Sequence, residues 1–443
     1  MQTQKNSYHN LLLIASILLI LIPPALISGP FLPDLFLVIL SIIFLFIYKS
    51  KTNLVLFNSI FFKLFFIFYI YLILISIFSD HFNQSIKPSI TYIRFGLFSI
   101  AIFFIIKNRE DFKKYFFLVL CFSICILLID GYYQFIFGKN IFGYQVNRPD
   151  RLSSLFFDEL ILGSYLGKIL PIFCTFSLFN KNYFKNYQII ILILLIYILI
   201  FLSGERSAFL TTTLYLVMIV PFFINFKKGI ILFLSIITIF GILILTDKNI
   251  KSRYFDQMIA HVIPNQEQHG SNNFLPEHIG LFKSAIKIFK QNFLFGGGVK
   301  TFRINCKNFD GKTIDNTIGK TSDINKITFA DVINTDDCKL YKTSKNCSTH
   351  PHNYYLQLLA ETGFIGFVFI FFIFLKLLFN YFRQIFYLLK NEKNINKSYI
   401  LILSGLVSFI WPVITTGSFF NNWICTILFL QVGVYLYTLN QKA

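Results

Sequence analysis

The chain has 443 residues, of which 55% are hydrophobic and 14% charged, with a formal charge of +19 and a mean hydropathy of +0.65. A water-soluble domain carries about a quarter charged residues, so this composition excludes a soluble fold and demands membrane spans of about 20 residues each. The positive charge suggests a nucleic-acid partner only if its distribution is ignored, because it falls where membrane topology needs it.

Twelve apolar runs are long enough to span, at roughly 10–28, 31–48, 54–78, 90–106, 113–137, 159–180, 188–203, 207–224, 229–245, 363–380, 398–415 and 421–438. Lys5 precedes the first run as in a signal peptide. No small-x-small cleavage site follows, however, and Pro23 and Pro24 sit inside the run, so it reads as a helix. With the N-terminus in the cytoplasm, the inner loops hold Lys49 and Lys51, then Lys107, Arg109, Lys113 and Lys114, then Lys181 and Lys185. Lys227 and Lys228 follow, then Arg383, Lys390, Lys393 and Lys397. Twelve spans return the C-terminus to the cytoplasm. The expected fold is therefore an all-α polytopic membrane protein. Spans one to nine occupy 1–245, a large outer segment occupies 246–360, and spans ten to twelve occupy 361–443.

The polar stretches at the outer side follow in chain order. The loop NRPDRLSSLFFDELILGSYL, from Asn147, brings Arg148 and Arg151, with Asp158 and Glu159 at the start of the next span. It reads either as a site or as a solvated loop with local ion pairs. The short turn from Leu202 to Ala208 carries Glu205 and Arg206. A guanidinium matches phosphate oxygens with a fork of donors, and outward arginines are disfavoured by topology. The bland alternative is a snorkelling Arg206 paired with Glu205. In the outer segment, EHIGLFKSAIKIFKQ places Ile279, Phe282, Ile286 and Phe289 at helical spacing, with Lys283, Lys287 and Lys290 opposite. That pattern is an amphipathic helix, lying on the membrane or capping the bundle.

Gly296-Gly297-Gly298 follows, but it lacks the preceding strand and third glycine of a dinucleotide fingerprint, and Gly311-Lys312-Thr313 lacks the upstream glycine of a P-loop. Residues 303–348 read as an irregular excursion. Cys121, Cys125, Cys174 and Cys425 lie in spans and read as packing residues, while Cys306, Cys338 and Cys347 lie outside, where disulfides form. Three cysteines allow one intrachain bridge, and Cys306–Cys347 would tie the start of the loop to its end. The segment closes on THPHNYYLQLLAETGFIGF, with a helix starting near Pro351 and running into span ten. Asn353, Gln357 and Glu361 share one face of that helix, and His350 and His352 stand at its start. A neutral imidazole there can take a proton from an attacking hydroxyl. The two histidines also read as capping groups satisfied by backbone. A zinc site is poorly supported by H-x-H without a further ligand at metal spacing.

Together these stretches resemble the O-antigen ligase and O-antigen polymerase superfamily of bacterial envelope glycosyltransferases. HPHNYYLQLLAETGFIG resembles its histidine signature, SGERSA its short arginine turn, and FKSAIKIFKQNFLFGGGVKTF the helix and glycine turn opening its loop region. RLSSLFFDELILGSYL is similar to a segment before a mid-chain span. The resemblance implies metal-independent transfer of a glycan, without a cofactor, from a polyprenyl-pyrophosphate carrier. The acceptor would be lipid A-core or a second carrier-linked glycan, on the periplasmic face of the bacterial inner membrane. It puts the base or acceptor-orienting role on His352 and the pyrophosphate contact on Arg206. His350 and Asn353 would orient acceptor or base, and Glu361 would hold the helix. A second family arginine falls nearest His278, with Arg303, Arg148 and Arg151 as other sources of that contact. Ligase and polymerase stay open. The rival class is a transporter or flippase of lipid-linked oligosaccharide, which predicts inverted repeats and polar groups at mid-membrane. Alkaline phosphatase fused after residue 320 should be active, and fused after residue 228 inactive; the reverse pattern would invert this topology.

Overall fold

A computed structural model of the protein describes residues 2–49, 59–145, 148, 150–181, 183–225, 229, 235, 238, 240–256, 277–308, 347–392 and 395–441. Among the described residues every regular element is helical. In chain order these are α1 (Gln2–Ile20), α2 (Ile22–Ile27), α3 (Phe31–Lys49), α4 (Ile60–Ile77), α5 (Phe82–Thr91), α6 (Ile93–Asn108) and α7 (Glu110–Phe137). There follow α8 (Leu162–Phe179), α9 (Asn186–Leu202), α10 (Arg206–Phe223), α11 (Glu277–Gln291), α12 (Tyr354–Leu389), α13 (Lys397–Phe409) and α14 (Asn422–Asn440), with short helical turns between. Among the described residues eight helices are long and apolar enough to cross a membrane, and three shorter apolar helices accompany them. They coincide with eleven of the twelve expected runs; nearly half of the run at 229–245 lies outside the described residues.

α6 runs through the centre, buried from Phe95 to Ile106, and α14 packs along it. Lipid tails are as apolar as leucine, so close backbone approach rather than the hydrophobic effect holds such helices together. Gly433 provides it, since a Cβ there would come within 2.6 Å of Ile102 Cβ and 2.8 Å of the Ser99 carbonyl oxygen. One turn away the Ser99 hydroxyl donates to the Phe429 carbonyl at 2.9 Å, and Phe95 stacks on Phe429 at 5.4 Å.

Two helices break where the sequence reads as continuous span. α13 stops at Phe409 instead of running to 415, because Pro412 offers no N–H and disfavours helix at the residue before it. Residues 410–421 return without helical structure until the Asn421 side chain caps α14. α12 starts at Tyr354 and breaks at Gly363, whose φ of +65° and ψ of −169° suit glycine alone. The freed backbone groups are taken up by the glycine turn. Gly297 N–H donates to Ala360 O and Gly298 N–H to Glu361 O, both at 2.9 Å, while Phe364 N–H donates to Phe293 O at 2.8 Å. The Tyr71 hydroxyl closes the set on Thr362 O at 2.5 Å.

The amphipathic helix α11 packs on α12 and so caps the bundle. Its buried face differs from the expected one: Leu281, Ala285 and Ile288 pack with Phe302, Ala360 and the Cys306–Cys347 disulfide. Ile286 is exposed, and Phe282 and Phe289 are half-buried on the flank. The stripe at Ile279, Phe282, Ile286 and Phe289 is the larger in volume, but Ala285 permits the closer approach to α12. Cys338 lies outside the described residues.

Gly363→Ala should destabilise the protein by roughly 1–3 kcal/mol, because its new Cβ would meet the Leu294 carbonyl. The check is thermal unfolding in detergent, where Tm falls by several degrees; an unchanged Tm would contradict the break.

Candidate active site

At one end of the bundle the helix termini and loops surround a cavity of about 1370 Å3. Five cations line it, Arg148, Arg151, Lys168, Arg206 and Arg253, against two carboxylates, Glu159 and Glu205. His350 and His352 stand on its wall, with Thr415, Thr416 and Ser418 from the 410–421 segment.

The arginine loop is built from α7. Asp130 accepts from Ile141 N–H at 2.8 Å and from the Ser154 hydroxyl at 2.5 Å. The Gln134 amide oxygen accepts from the backbone of Ser153 and Ser154 at 3.0 and 2.7 Å. Held in this way, residues 150–152 lie on the turn before α10, with Leu152 N–H donating to Ser203 O at 3.3 Å. Arg151 donates through Nη2 to the Leu160 carbonyl at 2.9 Å, while its Nε is buried without a hydrogen-bond partner.

Glu205 is the anchor of that turn. It is 5% exposed and accepts from Gly163 N–H at 2.7 Å, Ser164 N–H at 3.2 Å and the Ser164 hydroxyl at 2.7 Å. Burial raises its pKa, opposed by Ser164 and by the charge of Arg151. A Glu205–Arg206 pair does not form; Glu205 is spent on the start of α8. Among the described residues no ion pair engages Arg206, which faces the cavity.

Arg253 completes the cluster from the stretch between α10 and α11. Its Nε donates to Gly204 O at 2.9 Å, and its Nη1 lies 3.6 Å from Asp150, which also lies 3.5 Å from Arg148. Tyr254 follows, stacked on Phe201 at 4.4 Å with its hydroxyl on the Phe201 carbonyl at 2.8 Å. Burial lowers the Arg253 pKa to about 10, and the neighbouring Arg206 and Arg151 push the same way. The guanidinium stays charged at neutral pH. A crowd of cations in partial burial is relieved by an anion, and planar forks suit phosphate.

The histidine wall depends on the break at 410–421. His352 takes a φ of +56°, and its carbonyl accepts from Thr416 N–H at 2.8 Å. Its ring centroid lies 4.2 Å from that of His350, whose Nδ1 is 2.9 Å from the Thr349 hydroxyl. Asn353 caps α12 through its carbonyl oxygen, at 3.0 Å from Tyr355 N and 3.1 Å from Leu356 N. Its amide nitrogen donates to the Pro412 carbonyl at 2.8 Å.

The structure thus brings His350, His352, Arg148, Arg151 and Arg206 to one cavity. Asn353 and Glu361 do not line it. Both are spent on backbone, Glu361 accepting from Lys300 N–H at 2.9 Å and Phe302 N–H at 3.2 Å. Arg303 lines a different recess. His278 falls in α11, but its side chain lies outside the described residues. Arg253 and Lys168 were missed by sequence reading. The signal that marks Arg206, an arginine expected on the topologically disfavoured side, marks Arg253 equally. Lys168 was signalled by a charge inside an apolar span. Among the described residues no group of three or more His, Cys, Asp or Glu is arranged to hold a metal ion.

Residues 190–371 match the O-antigen ligase family. That range takes in Arg206, Arg253, α11, the glycine turn and both histidines. No curated protein matches the chain.

Glu205→Ala strips two backbone N–H groups of their acceptor and removes a buried negative charge beside Arg151. It should cost about 3–5 kcal/mol, with Glu205→Gln in between. Thermal unfolding of the purified variants checks this; Glu205→Ala melting with the parent protein would show the carboxylate is not an anchor.

Proposed function

We propose that this member of the O-antigen ligase and polymerase superfamily transfers a glycan from a polyprenyl-pyrophosphate carrier to an acceptor hydroxyl, at the periplasmic face of the bacterial inner membrane. The observation that carries the reading is one cavity lined both by an imidazole pair and by an arginine cluster. Membership of the family brings with it surface polysaccharide synthesis on lipid-linked glycans. The donor's anomeric carbon already bears its leaving group, so the transfer needs no external energy source.

In this reading the acceptor hydroxyl approaches the anomeric carbon on the side of His352. The new oxygen–carbon bond forms as the bond from the anomeric carbon to the phosphate oxygen breaks. The hydroxyl proton passes to the imidazole of His352, and the carrier pyrophosphate departs with the electron pair. Arg206 and Arg253 hold the charge that grows on it, a role in which preorganised donors lower the barrier most. Arg148 and Arg151 extend the positive wall along the pyrophosphate, and His350 orients His352. Asn353 and Glu361 position the histidine run without touching substrate. A transporter would keep its polar groups near mid-membrane; here the arginines and histidines gather at helix ends, and of the lining cations only Lys168 lies inside a span.

The test is transfer by purified protein in lipid, given carrier-linked glycan and candidate acceptors. His352→Ala should lower the rate roughly 10²–10⁴-fold, and Arg206→Ala and Arg253→Ala roughly 10²–10³-fold each. Full transfer by both His352→Ala and Arg206→Ala would remove the site. Product formed only with a carrier-linked acceptor identifies a polymerase; product formed only with lipid A-core identifies a ligase.

A further inference from the structure

The arginine cavity does not end at the helix termini. Ile161 and Asn421, at the starts of α8 and α14, line its mouth, but Pro171 of α8, Gly405 of α13 and Gln431 of α14 line it too. At a rise of about 1.5 Å per residue, Pro171 and Gln431 lie roughly 13 Å further along than Leu162 and Asn422, where their helices begin. An arm of the cavity therefore runs between the helices into the apolar bundle. The whole cavity, about 1370 Å3, exceeds the roughly 300–1,000 Å3 of a small-molecule site. A pyrophosphate at the mouth leaves much of it unassigned.

The arm carries polar groups deep among the helices. Lys168 lies inside a span, where an ionisable side chain is costly and marks a functional site by default. Its ammonium stands over the Phe409 ring at 5.5 Å, and among the described residues no ion pair engages it. Glu205, the carboxylate whose charge reaches it, is committed to Gly163 and Ser164. Beside it Gln431 is fully buried, and its Nε2 donates to the Lys168 carbonyl at 2.7 Å. The amide cannot turn over, since its oxygen would then oppose that carbonyl oxygen. Oε1 is thereby left buried with no hydrogen-bond partner among the described residues. Gly405 uncovers it, for a Cβ there would come within 3.2 Å of this oxygen. An unpaired buried acceptor costs free energy that an O–H group in the arm would recover.

The balance of donors and acceptors selects the ligand. Ser123, Thr211 and Ser408 also line the cavity, and their hydroxyl protons are spent on the carbonyls of Val119, Ser207 and Gly405. These groups offer lone pairs, so the arm presents one ammonium among several acceptors. A phosphate brings only acceptor oxygens and would face those lone pairs with no further donor. A polyprenyl chain would leave both Lys168 and Gln431 unsatisfied. A sugar bearing a carboxylate meets each demand. Its single charge suits Lys168, its hydroxyl protons suit the acceptors, and its apolar ring face suits Phe122, Ile126 and Pro171 on the same wall.

We propose that this arm is a subsite for an acidic sugar, with the sugar carboxylate on Lys168 and a neighbouring hydroxyl on Gln431 Oε1. That the sugar belongs to the transferred glycan rests on the transfer reading above; the subsite does not. Lys168 then selects among glycans by charge, while the arginines at the mouth hold the pyrophosphate common to all of them.

The experiment measures binding without turnover. Full-length protein carrying Arg206→Ala and Arg253→Ala, to keep anions off the mouth, is placed in phosphatidylcholine nanodiscs. Saturation-transfer NMR then gives dissociation constants for methyl glucuronide and methyl galacturonide, for the neutral methyl glucoside and galactoside, and for glucose 6-phosphate. At least one uronide should bind about tenfold tighter than its neutral counterpart. Adding Lys168→Gln should abolish that preference, and Lys168→Arg should keep it. The preference is a ratio within one variant, so partial unfolding cannot mimic its loss. Equal affinity for uronide and neutral sugar in both pairs, or a preference that survives Lys168→Gln, overturns the subsite. Tighter binding of glucose 6-phosphate than of either uronide, lost on Lys168→Gln, overturns the carboxylate as its ligand. In the transfer assay, the parent protein should favour a glycan containing a uronic acid over the same glycan with that carboxylate reduced to an alcohol, and Lys168→Gln should remove the difference. Equal use of the two glycans by the parent protein overturns the link to the transferred glycan. Absence of any transfer, with the binding preference still lost on Lys168→Gln, supports the subsite and counts against the reaction.

Discussion

A backbone N–H or C=O in a membrane-embedded helix bundle must find a partner inside the protein, since lipid offers none. The break at Gly363 meets that demand by taking the Phe293–Gly298 turn as its complement. Much of this end of the molecule follows from this one exchange. The turn fixes the end of α11, which buries Leu281, Ala285 and Ile288 beside the Cys306–Cys347 bridge. It also fixes Lys300 and Phe302, whose N–H groups reach Glu361 in α12. From Glu361 the path continues through Gln357, whose amide donates to Glu361 at 3.1 Å and to Ser418 at 3.0 Å while its oxygen accepts from Phe419 N–H at 2.8 Å. Gln357 therefore joins the first helix break to the second. There Thr416 N–H meets the His352 carbonyl. Hydrogen bonds thus link the turn after α11, through Glu361 and Gln357, to the 410–421 segment, and that segment to the backbone of the proposed base.

The opposing wall is governed by charge rather than backbone. Arg148, Arg151, Arg206 and Arg253 come from three separate stretches of chain, and their mutual repulsion is offset by few carboxylates. Asp150 bridges Arg148 and Arg253 from outside the cavity, and Glu205 lies beneath Arg151, committed to α8. Neither lies across Arg206. The protein thereby keeps a cationic wall that a phosphate group can complete, at the cost of desolvating guanidinium groups, as the lowered pKa of Arg253 records.

The sequence made the parts with one-dimensional signals legible. Apolar runs locate the helices, and polar groups beside them pick out Arg206, His350 and His352, because a titratable group beside lipid is costly and conspicuous. The breaks at Gly363 and at 410–421 are not legible in the same way. Gly363 sits inside TGFIGF and Pro412 inside an apolar run, and only the partner segment, Phe293–Gly298 in one case and Gln357 in the other, makes a break tolerable. The buried face of α11 was misjudged because hydrophobic volume favours Phe282 and Phe289, whereas the contact with α12 selects the small Ala285. Asn353 and Glu361 share a helical face with Gln357, as their spacing requires, but nothing in the spacing says that the face is turned to backbone rather than to a substrate. Arg253 carries a signal of the same kind as Arg206, but no motif in the sequence ties it to the turn before α10 that it contacts.

In the proposed reaction the arginine cluster and the histidine pair serve one bound donor. The direct measurement is a structure by electron cryomicroscopy of the protein in lipid with a non-transferable carrier-pyrophosphate glycan. Pyrophosphate density is expected within hydrogen-bond reach of Arg206 and Arg253, with the first sugar facing His352. Pyrophosphate seated elsewhere, with these arginines still paired only to protein and no sugar at His352, would contradict it.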